Sequence, residues 1–242
     1  MGDQSRAQSH VLWWSVPRSQ HREVLTPRWR SLDRGKEFTP SLPLLDGFTD
    51  FTLDPNTANP FLLLADDGRD VRRGDVWASL PDGPERFGTE PCVLGDRGFS
   101  SGQHCWEVEV ADGGDWWAVG VAQHSVRRKG VLSFTPQEGI WAVGQWFGQY
   151  YAFTCPDWTA LRLAQLPRAI RVSLDFGGGQ VVFADAESKD RIFAFCLASR
   201  PEEMLYPWLW VGKDSWLKLS SPSPSAPQQG GTEEITARGP WD

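Results

Sequence analysis

The chain is 242 residues long, 40% hydrophobic and 23% charged, with a formal net charge of −7 at pH 7. These values exclude a largely disordered chain, and the acidic balance leaves no basic stripe for phosphates, so no nucleic-acid partner is expected. Fourteen tryptophans against two methionines suit sheet cores and aromatic binding surfaces better than helical packing.

Residues 1–46 read as an irregular leader, expected to be flexible. Prolines are scattered through VLWWSVPRSQHREVLTPRWRSLDRGKEFTPSLPLL, and neither a helical nor a strand period is sustained. The start shows no secretory signal, and Arg6 stands where myristoylation wants Ser or Thr. No apolar run reaches the length of a membrane-spanning helix. A cytoplasmic protein without membrane insertion is therefore expected. Cys92, Cys105, Cys155 and Cys196 form no C-x-x-C pair, and His10, His21, His104 and His124 form no local cluster. No metal, cofactor or redox chemistry is indicated, and the thiols are expected to stay reduced.

Next comes FTLDPNTANPFLLLADDGRDVR. Its DDGRD run, Asp66 to Asp70, lacks the positions of a twelve-residue calcium loop and reads as a polar turn. The segment Gly98-Phe99-Ser100-Ser101-Gly102 fits G-x-S-x-G, the nucleophile elbow of serine hydrolases. An elbow must lead into a helix. Here QHCWEVEV follows, alternating Trp106, Val108 and Val110 against Glu107 and Glu109, which is the period of a strand.

Glu107 and Glu109 raise a second possibility. Residues i and i+2 of a strand share a face about 6.7 Å apart, near the spacing of an inverting glycosidase pair. A glycan-binding or glycan-hydrolysing jelly roll using Glu107 and Glu109 is thus the alternative to a solvated strand face.

Downstream, DWWAVGVA, GIWAVG and QYYAFT are short apolar runs separated by turn residues. AIRVSLDF alternates again, and Gly177-Gly178-Gly179 connects it to QVVFAD as a hairpin. RIFAFC and WLKL complete the series, with no long amphipathic helix between. Short strands at regular spacing predict an all-β sandwich or barrel. The last stretch, 220–242, is rich in Ser, Pro and Gly and is expected to be a disordered tail.

Three ordered motifs make residues from about 47 to 219 resemble a PRY–SPRY domain, the C-terminal module of tripartite-motif (TRIM) ubiquitin ligases and of butyrophilins. They are Leu53-Asp54-Pro55, Trp106-Glu107-Val108-Glu109 and Leu174-Asp175-Phe176, joined by the run GVAQHSVRRKG…FTPQEGIWAV. The resemblance divides the chain into a PRY segment at 47–100 and a SPRY segment at 101–219, forming one unit. It implies a bent, concanavalin-like β-sandwich of two antiparallel sheets that binds a protein or peptide through rim loops, without catalysis. In that family ubiquitin transfer belongs to a RING and assembly to a coiled coil. This chain shows neither the dense Cys/His pairs of a RING nor a heptad run. Substrate recognition for a TRIM-like ligase, or a stand-alone adaptor role, in innate immunity or elsewhere, is what the resemblance implies. The ligand positions it places on this sequence are Ala118, Gly144, Trp146 and Lys213, with Gln145 and Phe147 flanking Trp146 in the loop QWFGQY. Trp141 is the better core candidate of the two tryptophans in that region.

Overall fold

The computed structural model describes residues 48–110, 114–163, 165–197 and 203–220. The expected leader and all but the first residue of the expected tail lie outside the described residues. The strands are β1 (Leu62–Leu64), β2 (Asp70–Arg73), β3 (Cys92–Leu94), β4 (Gln103–Glu109), β5 (Trp116–Gln123), β6 (Ile140–Trp146), β7 (Gln149–Ala152), β8 (Thr159–Leu161), β9 (Ala169–Asp175), β10 (Gln180–Asp185), β11 (Arg191–Cys196), β12 (Leu205–Val211) and β13 (Trp216–Leu219). They form two antiparallel sheets, ordered β1-β2-β13-β4-β9-β10-β11 and β3-β12-β5-β6-β7-β8. The all-β sandwich expected from the alternating segments is the observed fold.

The main core lies between the sheets. From β4 and β9 it takes Trp106, Val108, Ile170, Val172 and Leu174; from β5, β6 and β12 it takes Trp117, Val119, Val121, Trp141, Val143 and Leu209. Period-2 alternation puts these residues on the facing sides of the two sheets.

The six-stranded sheet differs from its partner because its outer face is apolar too. Ala118, Ala122, Ile140, Ala142, Phe153, Trp208 and Trp210 form a second cluster there with Phe87, Val126, Leu132 and Phe134. Its strands are accordingly near-continuous hydrophobic runs rather than alternating ones, as burial on both faces requires.

Most of the cover over this second cluster comes from loops, and the first signature motif fastens part of it. Leu53 is in the main core, bridging Gly95. The Asp54 carboxylate accepts the Asn56 N–H at 2.9 Å, and the Thr57 hydroxyl donates to the Asp54 carbonyl while accepting the Leu94 N–H at 3.0 Å. Asn59 accepts from the Phe61 N–H and donates to the carbonyls of Phe87 and Gly88. Arg86 is buried, and its guanidinium donates to the carbonyls of Pro81, Pro55 and Ala58 at 2.7–2.8 Å. Side chains thus satisfy a folded loop that no strand ladder serves, which makes LDPNTAN an architectural motif.

β12 is the central strand that LYPWLWV hides. Pro207 within it argues against a central strand, since proline cannot donate to a ladder. The Gly95 N–H donates to the Pro207 carbonyl at 2.9 Å, so the missing donor falls just beyond Leu94, the last residue of β3. One ladder bond is lost where pairing ends anyway.

Candidate binding surface

In both stretches that resemble catalytic motifs, side chains make structural contacts. Phe99 is buried, bridges Leu205 and stacks on His104 at 4.0 Å. The His104 Nε2 lies 2.8 Å from the Ser101 carbonyl rather than on a serine hydroxyl. Gly102, at φ 81°, turns the chain into β4, so the helix an elbow needs is replaced by a strand.

Glu107 lies on the outer face of the seven-stranded sheet, where Arg171 directs Nε and Nη2 onto its Oε1 at 2.9 and 2.8 Å. Lys189 approaches the same oxygen at 3.6 Å. The carboxylate is committed to a cross-strand ion pair. The DDGRD run is the β1–β2 turn, with Gly68 at φ 68° and the Asp67 carboxylate accepting the Arg69 N–H.

The outer face of the six-stranded sheet is aromatic at one end. Antiparallel register places Trp116 opposite Trp146, and Ala118 opposite both Gly144 and Trp210. The small pair Ala118 and Gly144 forms a buried floor. A Cβ on Gly144 would come within 3.0 Å of the Phe153 ring, so glycine is needed there for close packing. Across this floor the Trp146 and Trp210 rings approach to 4.7 Å at 35°. Trp116 stands 5.1 Å from Trp146 on one side, and Trp158, from the β7–β8 loop, 5.6 Å away on the other. Trp146, Trp116 and Tyr151 are partly exposed. Trp158 is 36% exposed and Phe147 68%.

Phe147 sits at the tip of the β6–β7 hairpin with φ 52°, followed by Gly148 at φ 74°. Positive φ at both central residues is the type I′ hairpin geometry, which favours Asn-Gly. A bulky aromatic there is strained by about 1 kcal/mol. The strained residue holds its ring 3.9 Å from that of Trp116 and largely in solvent.

The six residues that the sequence singles out fall into four groups. Trp146 and Phe147 present rings to this surface; Ala118 and Gly144 lie beneath it. Gln145 faces the other way, where its Oε1 accepts the N–H of the buried Trp117 indole at 3.2 Å. Lys213 is exposed on the turn after β12, next to Gly212, whose N–H donates to the Trp116 carbonyl. Trp141 is buried between the sheets. Trp116, Trp158 and Trp210 were not singled out from the sequence; the signal for Trp158 was a tryptophan in the turn-like run CPDWT.

Below the surface, burial and then the negative charge of Glu90 push the Cys92 thiol well above its ordinary value. Burial pushes the Tyr150 phenol up to about 12. Among the described residues no helix is long and apolar enough to cross a membrane.

Among the described residues, the two-sheet sandwich leaves an aromatic end of one outer face partly exposed. The family model for the SPRY-associated domain, PRY, matches residues 51–99, and that for the SPRY domain matches 103–222. Butyrophilin subfamily 1 member A1 of Bos taurus is 41% identical over 179 residues, covering 70% of this chain and 34% of that protein. Zinc finger protein RFP of Homo sapiens is 44% identical over 151 residues, covering 62% and 29%. Among solved structures, the TRIM65 PSpry domain superposes with a TM-score of 0.62 at 21% identity, covering 72% of this chain and 90% of that one. Stonustoxin gives the same TM-score at 22% identity, over 75% of this chain and 32% of its own. At such identities the two structures attest the fold. The chain belongs to the PRY–SPRY family, and it spans about a third of the length of the curated relatives it matches.

Proposed function

We propose that this protein is a recognition module whose docking surface is the aromatic end of the six-stranded sheet, centred on Trp146 and flanked by Trp116, Phe147 and Trp158. It takes a short peptide or loop of a partner protein, with Lys213 at the rim, and performs no catalysis itself. In the cell it acts in the cytoplasm as the substrate-recognition part of a TRIM-like ubiquitin ligase or as a stand-alone adaptor. The observation that carries this reading is the contiguous, partly exposed ring cluster on the sheet, since tryptophans at the centre of a protein interface commonly carry much of its binding energy. Strain at Phe147 adds to it: the backbone cost is borne by a ring that stays 68% exposed, and such strain clusters at functional positions.

The test is quantitative affinity capture from cell lysate with the full chain, comparing wild type, Trp146→Ala and Glu107→Gln. Partners lost by the first variant and retained by the second are expected. An unchanged partner set for a folded Trp146→Ala protein would overturn the reading.

A further inference from the structure

Resting on that reading of the docking surface, we propose that it selects a peptide carrying an arginine, whose guanidinium stacks on the exposed indoles and pairs with Glu90. Glu90 lies just before β3, at the margin of the ring cluster. Its Oε2 accepts the Trp210 indole N–H at 3.0 Å, and Trp210 in turn packs 4.7 Å from Trp146. The carboxylate is therefore fixed in direction by the same side chain that forms part of the platform.

Register shows why it faces the platform. Cys92 pairs with Trp210 and Trp210 with Ala118, while the Val211 N–H donates to the Pro91 carbonyl. Continuing that register by one residue puts Glu90 opposite Gly212, which lies beside Trp116, the pair of Trp146. One row across the end of the sheet therefore reads Glu90, Gly212, Trp116, Trp146. A Cβ on Gly212 would come within 2.9 Å of the Trp210 ring, so glycine keeps this part of the row low.

Charge then decides the ligand. Among the described residues no Lys, Arg or His lies within 4.0 Å of the Glu90 carboxylate, whose side-chain partner is the Trp210 indole N–H. Arg86, four residues before it, donates to the carbonyls of Pro81, Pro55 and Ala58 instead, and Lys213, one residue beyond Gly212, forms no ion pair with it. A carboxylate without an ion-pair partner among the described residues, bonded to the N–H edge of one indole in a cluster of rings whose faces are electron-rich, is complementary to a cation. A planar guanidinium satisfies both partners at once, stacking on a ring and donating to the carboxylate, whereas a lysine ammonium is a more strongly hydrated point charge. Trp116, Trp146 and Phe147 would take the neighbouring apolar residues of the same peptide.

The probe is a displayed library of random decapeptides, selected in parallel on the wild-type full chain, Glu90→Gln and Trp146→Ala. Glu90→Gln keeps an oxygen to accept the Trp210 N–H and removes only the charge, so the platform stays assembled. Wild type is expected to enrich arginine at one position. A resynthesised winner should bind Glu90→Gln about tenfold or more weakly, and its Arg→Lys version should also lose affinity. Peptides that depend on Trp146 but carry no arginine, or arginine enrichment unchanged by Glu90→Gln, would overturn the Glu90 assignment while leaving the docking surface standing. Failure to enrich any Trp146-dependent peptide would overturn both.

Discussion

The outer faces of the two sheets have the same strand geometry and opposite chemistry. On the seven-stranded sheet, β4 and β9 turn Glu107 and Arg171 outward and join them as an ion pair, with Cys105 and Ser173 one pair further along. On the six-stranded sheet, β5, β6 and β12 turn Trp116, Trp146, Trp208 and Trp210 outward. The polar face finishes its business with itself. The apolar face needs a cover, which the loops carrying Phe87 and Phe134 supply over Trp208; Phe134 reaches Trp146 at 6.4 Å but leaves it partly exposed, and Trp158 is 36% exposed. One continuous apolar layer thus serves as core at one end and as surface at the other.

That contrast can be broken from the covered end. Arg86→Ala would strip one buried and two part-buried carbonyls of their donor, and a buried group left unsatisfied costs about 1–3 kcal/mol. A loss of about 3 kcal/mol or more is expected in urea unfolding; a loss below about 1 kcal/mol would mean that the cover is not fastened there.

The polar face is the milder test. Glu107→Gln removes an ion pair whose side chains are 16–17% exposed, and about 1 kcal/mol of stability should go with it while binding at the aromatic end stays the same. Loss of partner binding in this variant would move the functional surface to the wrong sheet.

Smallest in stability, and the sharpest separation of fold from function, is Phe147→Asn. Asparagine tolerates positive φ, so about 1 kcal/mol of strain is relieved against the lost contact with Trp116. The Tm is expected to hold or rise by a few degrees while partner affinity falls. A lower Tm with intact affinity would show that Phe147 is a packing residue.

Much of the fold was legible because period-2 alternation is a local property: β4 and β9 could be read from a few residues each. β12 was not, because Pro207 looks like a breaker until the end of β3 is known to lie beside it. The second apolar layer was only half legible. Runs such as WWAVGVA announce burial on both faces without saying which loop covers which end. The candidate site shows the same limit. Alternation alone puts Gln145 and Trp146 on opposite faces, but the Trp117 indole that takes up Gln145 is 28 residues away in sequence. Glu90 gave no signal at all, since its meaning depends on Trp210, 120 residues downstream.

The most direct test uses the tryptophans themselves as reporters. Each indole N–H gives its own signal in a nitrogen-15 correlation spectrum, assignable by single Trp→Phe replacements. Titration with the peptide pool selected on the wild-type chain is expected to shift Trp116, Trp146, Trp158 and Trp210 and to leave the inter-sheet Trp106 and Trp117 in place. Shifts centred on Trp77 or Trp216, with Trp146 unmoved, would contradict the aromatic end of the six-stranded sheet as the docking surface.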